Sequence, residues 1–349
     1  MTPVVCDLCG AANATPVMEQ ADPRAQAGER LFRVVECRRC GLLYLNPRPE
    51  GADLAAYYPD DYFDHLAAGT NRATPRSEAG RELHHAIRQA LLQRYYGYPI
   101  FAGRGRSTKR GLPRWLGVGC ARLERWRLQV SGREAAIIPF VGQGRLLDVG
   151  CGTGKDLLRL QASGWAVTGV EISPYAASLA RARLGCEVMV GHFDEVALEG
   201  RSFDVVRLSH VLEHLPSPRK SLEKVHRLLR PGGLLWLEVP NAASAERRWF
   251  GGHWYQWDLP RHLYHFTPAT LVRLLRETGF QPRKTKCDGR MAFFAESVAN
   301  VLAERVGVHR RTGMRVARLA KPLVYSLGVM NLGGILTAHA VKGPGEHDQ

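Results

Sequence analysis

Leu146-Leu147-Asp148-Val149-Gly150-Cys151-Gly152-Thr153-Gly154 runs from a short apolar segment into three alternating glycines, and a helical pattern opens just after. An apolar run of that length reads as a strand buried on both faces, and the glycines beyond it permit positive φ and close approach of the backbone to a ligand. Working outward, strands are expected at Arg145–Val149, Ala166–Glu171, Glu187–Val190, Asp204–Leu208 and Leu234–Val239. Helical patterns fall at Asp156–Ala162, Pro174–Leu184, Ser217–Leu229 and Pro268–Thr278; Pro174 and Pro268 each follow a Ser or Thr, the N-cap then N1 arrangement. The alternation predicts an α/β fold: a doubly wound parallel sheet whose ligand lies beyond the carboxyl ends of the strands.

Two nucleotide readings of the glycine turn fail on spacing. A phosphate-cradling loop requires Gly where Val149 stands and Ser or Thr where Asp156 stands, and a dinucleotide fingerprint requires its third Gly at Lys155. What remains is G-x-G-x-G preceded by an acid, with Glu171 ending the next strand 23 residues beyond Asp148, where a carboxylate can accept both hydroxyls of a ribose.

The glycine run, Val170-Glu171-Ile172-Ser173, Phe203-Asp204-Val205-Val206 and Leu229-Arg230-Pro231-Gly232-Gly233 occur in an order and spacing that resembles the class I S-adenosylmethionine (SAM)-dependent methyltransferases, over roughly residues 140 to 290. The resemblance implies a Rossmann-like methyltransferase sheet. It implies that Asp148, Gly150, Gly152 and Gly154 belong to the cofactor loop, that Glu171 binds the ribose with Ile172 as a further cofactor contact, and that Asp194 meets the adenine amino group. Ser209 and His210 would close over the cofactor. A sulfonium gives up its methyl by in-line displacement, so the protein's work is to position the acceptor and supply a base where the nucleophile is weakly acidic.

Cys6-Asp7-Leu8-Cys9-Gly10 and Cys37-Arg38-Arg39-Cys40-Gly41 are two Cys-x-x-Cys-Gly units with 27 residues between Cys9 and Cys37. Four thiolates in pairs suit one tetrahedral zinc, with glycines letting the turns offer N–H groups to sulfur, and leave no open position for catalysis. A redox dithiol needs only one such unit, in a thioredoxin-like context that the sequence lacks. The run Gly41-Leu42-Leu43-Tyr44-Leu45-Asn46-Pro47-Arg48-Pro49, with Tyr57-Tyr58-Pro59, resembles the N-terminal module of bacterial small-molecule and sugar methyltransferases, and implies a module that helps to cover the substrate pocket.

Acceptor chemistry is expected in two places. Glu213-His214 follows the fourth strand; some quinone-pathway O-methyltransferases bind a divalent ion there through Glu-x-x-Glu-His, but His210 stands at their first Glu. The second is Trp254-Tyr255-Gln256-Trp257-Asp258-Leu259-Pro260-Arg261-His262-Leu263-Tyr264-His265-Phe266-Thr267, aromatic enough before a helix start to suit a substrate wall. It resembles the His-Glu-His-x-x-Tyr-Phe-Ser segment of sugar C-methyltransferases, with Arg261 in place of the Glu and His262 at the His. His262 and His214 are therefore the candidate catalytic residues, with loop-structuring roles as the competing explanation.

The chain has 349 residues and a formal net charge of +15, with 8 Lys against 40 Arg. Residues 81–133 carry 12 bases and 2 acids, and residues 305–321 carry 6 bases and none. Both segments mix apolar residues with Arg at helical spacing, for example Leu116, Leu123, Trp126 and Val130. Such faces call for an apolar partner, so a helical cap over the strand ends is expected, its arginines (Arg104, Arg106 and Arg110 among them) facing an anionic acceptor such as a nucleotide- or lipid-phosphate-linked sugar. A basic solvated surface is the alternative. The expected organisation is a zinc-binding module at 1–60, a basic helical insert at 61–133, the SAM-binding domain at 134–295, a second cap segment at 296–335, and a final strand and tail at 336–349. The sequence around the cysteines is not markedly basic and lacks interleaved stacking aromatics, which argues against nucleic acid as partner. No secretory signal pattern is visible and Leu319–Val341 is too interrupted to span a membrane, so the expectation is a cytoplasmic protein, with peripheral contact to the inner membrane surface as its variant. A nucleic-acid methyltransferase and a non-catalytic binding module are the other readings to weigh.

Overall fold

The computed structural model describes residues 1–22, 30–58, 78–99, 114–131, 133–198 and 203–343; Arg104, Arg106 and Arg110 lie outside them. The first strands, β1 (Ala14–Ala21), β2 (Leu31–Cys37) and β3 (Leu43–Leu45), form an antiparallel sheet with the two Cys-x-x-Cys turns at one end. Helices α1 (Ala52–Ala55), α2 (Glu78–Tyr95) and α3 (Arg114–Val130) follow.

The succession read from the glycine run then unfolds as β4 (Arg145–Val149), α4 (Lys155–Gln161), β5 (Ala166–Glu171), α5 (Pro174–Leu184), β6 (Val188–Val190), β7 (Phe203–Ser209), α6 (Pro218–Leu228) and β8 (Leu229–Pro240). Five strands of this succession are parallel. After α7 (Ala245–Phe250), β9 (Tyr264–His265) and α8 (Pro268–Glu277) come β10 (Phe280–Asp288), α9 (Met291–Val306), α10 (Arg310–Ala317), α11 (Lys321–Val329) and β11 (Ile335–Lys342). The large sheet has the order β10-β11-β8-β7-β4-β5-β6, with β11 antiparallel to both neighbours. The expected final strand is present, and β10 is an additional edge strand.

Local chemistry fixes the helix starts. Ser173 and Thr267 accept the backbone N–H of Ala176 and Thr270 and are each followed by Pro, while α5 stops at Gly185 with φ 59°. One sheet face buries Leu146, Val205, Leu234 and Trp236 with α4 and α5. The opposite face buries Leu147, Val206, Leu208 and Leu237 in a core continuous with Leu8, Phe32, Val34 and Leu42 of the cysteine module. The two are also joined by backbone hydrogen bonds, because β9 pairs with β3 and so completes the small sheet from a loop of the large domain.

Helices α2 and α3 pack on each other, and the turn Arg133–Ala136 seats them on the sheet face: Trp236 Nε1–H donates to the Ala135 carbonyl at 3.0 Å, and Lys284 pairs with Glu134 at 2.6 Å. Leu123 and Trp126 stay 65% and 60% exposed, so these two find no apolar partner among the described residues, whereas Val130 is half-buried. Helix α11 meets the first segment where Gly328 lies against the Ser131 carbonyl, so closely that an added Cβ would sit 2.6 Å from it.

Candidate active site

A cavity of about 460 Å³ opens beyond the carboxyl ends of β4, β5 and β7. Gly150, Gly152, Glu171, Ile172, Ser209 and His210 line it from the sheet side, as the motifs require. The opposite wall holds Tyr58, His214, Tyr255, Asp258, His262 and Phe293. Among the described lining residues there is no Lys or Arg.

The three glycines of the turn have positive φ for different reasons. A Cβ on Gly150 would lie 2.5 Å from the Val211 side chain, and on Gly154 2.9 Å from the Ala180 Cα; Gly154 therefore serves the packing of α4 on α5 and does not line the cavity. A Cβ on Gly152 meets nothing within 4 Å, because that position faces the open cavity. Glu171 is buried and accepts the N–H groups of Gly152 at 2.7 Å and Ser173 at 3.0 Å. Burial pushes its carboxyl above the ordinary range, against the pull of those N–H donors. Two amides thus fix the carboxylate at the rim of the glycine turn while each oxygen keeps lone pairs for a ligand.

Two of the expected cofactor acids sit elsewhere. Asp148 is fully buried beneath the turn and held by Arg207 at 2.8 Å, across the register pair that joins β4 to β7. Arg207 also reaches Asp156 at 2.9 Å, so this acid ties strand to strand and to α4. Asp194 accepts the hydroxyl of Ser221 in α6 at 2.8 Å, and its neighbours His192 and Phe193 line the cavity in its stead.

On the acceptor side, His214 Nδ1 lies 3.0 Å from the Arg261 carbonyl and 2.9 Å from the Tyr58 hydroxyl, and His262 Nδ1 lies 2.9 Å from the Gln256 carbonyl. Their ring centroids are 4.7 Å apart. Burial, then the neighbouring His262, lowers His214 to about 4, so it is neutral at pH 7. His210 is the opposite case: burial alone would lower it, but hydrogen bonds to Glu213 and Glu238 raise it to about 9. It is an imidazolium in the sheet-side wall, with Nδ1 3.2 Å from Glu213 and Nε2 3.4 Å from Glu238. Its φ of 55° is unusual for a residue with a Cβ, and its N–H donates to the Glu238 carbonyl at 2.8 Å.

The aromatic segment divides between core and wall. Trp254, Trp257, Tyr264 and Phe266 are buried between the cysteine module and the sheet, so the expected substrate wall is reduced to Tyr255, Gln256, Asp258 and His262. Arg261 is 1% exposed and accounts for the loop's shape: it pairs with Asp22 through two 2.8 Å bonds and with Asp258 at 2.8 Å. Tyr58, His192, Phe193, Tyr255, Asp258 and Phe293 were not singled out as site residues from sequence. Tyr58, Tyr255 and Asp258 lie in the stretches that resemble known modules, His192 and Phe193 lie just before Asp194, and nothing local marks Phe293.

The four module cysteines bring their sulfurs within 4.8 Å of one another, with Cys6 to Cys40 at 3.4 Å and Cys9 to Cys37 at 3.5 Å. All are free thiols, in two turns where Gly10 and Gly41 adopt positive φ, and the cluster fits a tetrahedral thiolate site. Asp7, inside the first turn, accepts the Ser217 hydroxyl at 2.7 Å and the Arg219 N–H at 2.8 Å, so the module grips the start of α6.

Comparison with known proteins gives the family. A model of a methyltransferase domain matches residues 100–285, more than half of the chain, and the chain belongs to that family. A ubiquinone biosynthesis O-methyltransferase of Thiobacillus denitrificans is 32% identical over 155 residues, 41% of this chain and 66% of that protein. A malonyl-[acyl-carrier protein] O-methyltransferase of Serratia marcescens is 30% identical over 130 residues, 37% of this chain and 50% of that protein. The chain thus spans between half and about two thirds of the length of these relatives. A solved SAM-dependent methyltransferase from Thermotoga maritima is 20% identical, covering 63% of this chain and 95% of its own, with a TM-score of 0.42. Among the described residues, no helix is long and apolar enough to cross a membrane.

Proposed function

We propose that this chain transfers a methyl group from SAM to a small-molecule acceptor. The observation that carries the reading is one cavity with a cofactor end at Gly150, Gly152 and Glu171 and an acceptor end at Tyr58, His214 and His262. The methionine part of SAM would lie on the glycine turn, its ribose hydroxyls on Glu171, and its adenine against Ile172, His192 and Phe193. The acceptor then approaches the sulfonium methyl from the opposite wall. The new bond forms to the methyl carbon as the C–S pair returns to sulfur, and the acceptor's proton passes to an imidazole, for which His262 is our choice with His214 beside it. Both named relatives are O-methyltransferases, which supports oxygen over carbon as the atom methylated. Zinc on Cys6, Cys9, Cys37 and Cys40 has a structural part in this scheme.

Glu171→Ala should weaken SAM binding by about 10- to 100-fold, the equivalent of about 1–3 kcal/mol for ribose hydroxyls left without their acceptor. Titration calorimetry checks it, and an unchanged affinity would remove Glu171 from the ribose.

An anionic acceptor is the finer reading. With no Lys or Arg among the described lining residues, a phosphate or diphosphate on the acceptor would be met outside the cavity, by the basic segments. Val316, Leu319 and Leu323 are exposed among Arg315, Arg318 and Lys321, and this mixture supports contact with an anionic lipid surface where such an acceptor resides. Sedimentation with anionic but not neutral vesicles, reversed by salt, is the expected result; equal recovery with both would exclude it.

A further inference from the structure

A second cavity, of about 410 Å³, opens between α2, α3 and the turn Arg133–Ala136, and it shares no described lining residue with the methyl-transfer cavity. Leu83, Ile87 and Leu91 line it at helical spacing along α2, and Leu128 and Ile137 line it from α3 and from just after the turn. The strip on α2 is covered at one end alone: Leu91 is 2% exposed and Leu83 is 46% exposed. From Leu83 to Leu91 the groove follows eight residues of helix, about 12 Å at roughly 1.5 Å per residue.

The floor of this groove is fixed from below. The Ala135 carbonyl accepts Trp236 Nε1–H at 3.0 Å and lies 2.6 Å from His339 Nε2, so the turn is held to β8 and β11 and an occupant need not order it. Glu134 is matched by its own partners, Lys284 at 2.6 Å, Tyr96 at 2.8 Å and Gln129 at 3.1 Å, and does not line the groove. What faces the groove is positive. Arg88, Arg127 and Arg133 line it against one acid among the described residues, Glu124, which reaches Arg127 at 3.4 Å. Arg88 and Arg133 make no ion pair with a described residue. An apolar floor alone admits any hydrocarbon; two guanidinium groups left without a counter-charge select one that carries an anion.

We infer that the groove between α2 and α3 is a binding site for a single-chain acyl carboxylate, a free fatty acid of medium length, separate from the methyl-transfer cavity. The chain lies along the strip from Leu83 to Leu91, opposite Leu128 and Ile137, and each methylene it takes from water adds to affinity. The carboxylate takes its N–H donors from the arginines of the rim, whose planar fork matches two oxygens. The enclosed volume falls within the range of roughly 300–1,000 Å³ usual for sites that hold one small molecule, which suits one chain better than the two long chains of a bilayer lipid. The inference does not rest on the methyl-transfer reading, because the two cavities have no described lining residue in common.

The test is a calorimetric titration of the full chain with dodecanoate, kept below the concentration at which it forms micelles. Dodecanol, with the same chain and no charge, and acetate, with the charge and no chain, are titrated beside it. One dodecanoate per chain is expected to bind, dodecanol about 10-fold or more weakly, and acetate without measurable heat. Arg88→Gln combined with Arg133→Gln should bring dodecanoate down to the affinity of dodecanol. Ala136→Phe, at an exposed position that lines the groove, should fill it and abolish binding of both. Circular dichroism reports whether each variant is folded; where Ala136→Phe is not, Ile87→Gln replaces it. No heat from dodecanoate, equal affinity for dodecanoate and dodecanol, or folded variants that bind as the parent does overturns the inference. So does capture by phosphatidylglycerol vesicles, or self-association, that the arginine substitutions abolish and dodecanoate does not compete with, because the groove then belongs to a bilayer lipid or to a second copy of the chain.

Discussion

Removing the zinc we propose on Cys6, Cys9, Cys37 and Cys40, or replacing Cys37 with Ser, is expected to unfold the first 45 or so residues and to open the acceptor wall. Beyond the four sulfurs, the module is held by short strands whose apolar residues, such as Phe32 and Val34, bury themselves partly against the large domain. A unit of this size draws its folding free energy from the ion, about 10–16 kcal/mol in isolated zinc-finger peptides. The share felt here is smaller because the large domain supports β3 through β9, but the loss should travel by the same contacts. Asp7 would release Ser217 and Arg219, and Tyr264 would lose its 2.8 Å bond from Arg48. Hydrogen exchange before and after chelation reads this directly. Protection should fall over residues 1–45 and 263–266 and hold in β4, β5 and β7. Elemental analysis finding no zinc in protein prepared without chelator, or unchanged exchange once zinc is gone, contradicts the assignment.

Arg261→Met is expected to cost about 3–5 kcal/mol of stability, because it leaves the buried Asp22 carboxylate and its neighbour Asp258 without the guanidinium that pairs them. Methionine can fill much of the space but supplies no donor. The consequence reaches chemistry through the backbone: the Arg261 carbonyl orients His214, so the variant should also lose acceptor turnover while SAM, bound at the other end of the cavity, keeps its affinity. Urea unfolding measures the first effect and calorimetry the second. A shift below about 1 kcal/mol would mean that the ion pairs add nothing beyond a surface pair.

The same residue shows where sequence reading stops. Beside His262, Arg261 could be compared only with a catalytic Glu in a resembling segment, because its partner Asp22 lies 239 positions away and is brought near by the pairing of β3 with β9. The parallel strands β4, β7 and the second half of β8 were legible because they are buried almost throughout and mostly apolar. β10, an edge strand reading Phe-Gln-Pro-Arg-Lys-Thr-Lys-Cys-Asp with much of its length part-exposed, carries no such signature. β8 begins at Leu229, five residues before the expected Leu234, because Arg230-Pro231-Gly232-Gly233 reads as a turn.

For the site, local motifs located the backbone better than they located side-chain partners. Gly150, Gly152, Glu171, Ser209 and His210 reach the cavity because strand ends fix their positions. Asp148 does not, because the residue opposite it on β7 is an arginine, and a buried carboxylate beside a guanidinium pairs with it. Asp194 sits in an irregular stretch where one residue's shift decides which side chain faces inward, and His192 and Phe193 take that place. The pairing of His214 with His262 has no local signal at all, since it depends on the loop before β9 folding back over the turn after β7.

Whether this chain is built around SAM is tested most directly by titrating it with SAM in a calorimeter beside Gly152→Val. The parent should bind one SAM per chain. The variant's side chain would project into the space where a Cβ meets nothing within 4 Å; φ 53° strains a β-branched residue, so circular dichroism reports whether the variant is folded, and the folded variant should bind SAM too weakly to measure. A parent that releases no heat with SAM at any concentration, or a folded Gly152→Val that binds it as the parent does, contradicts the account.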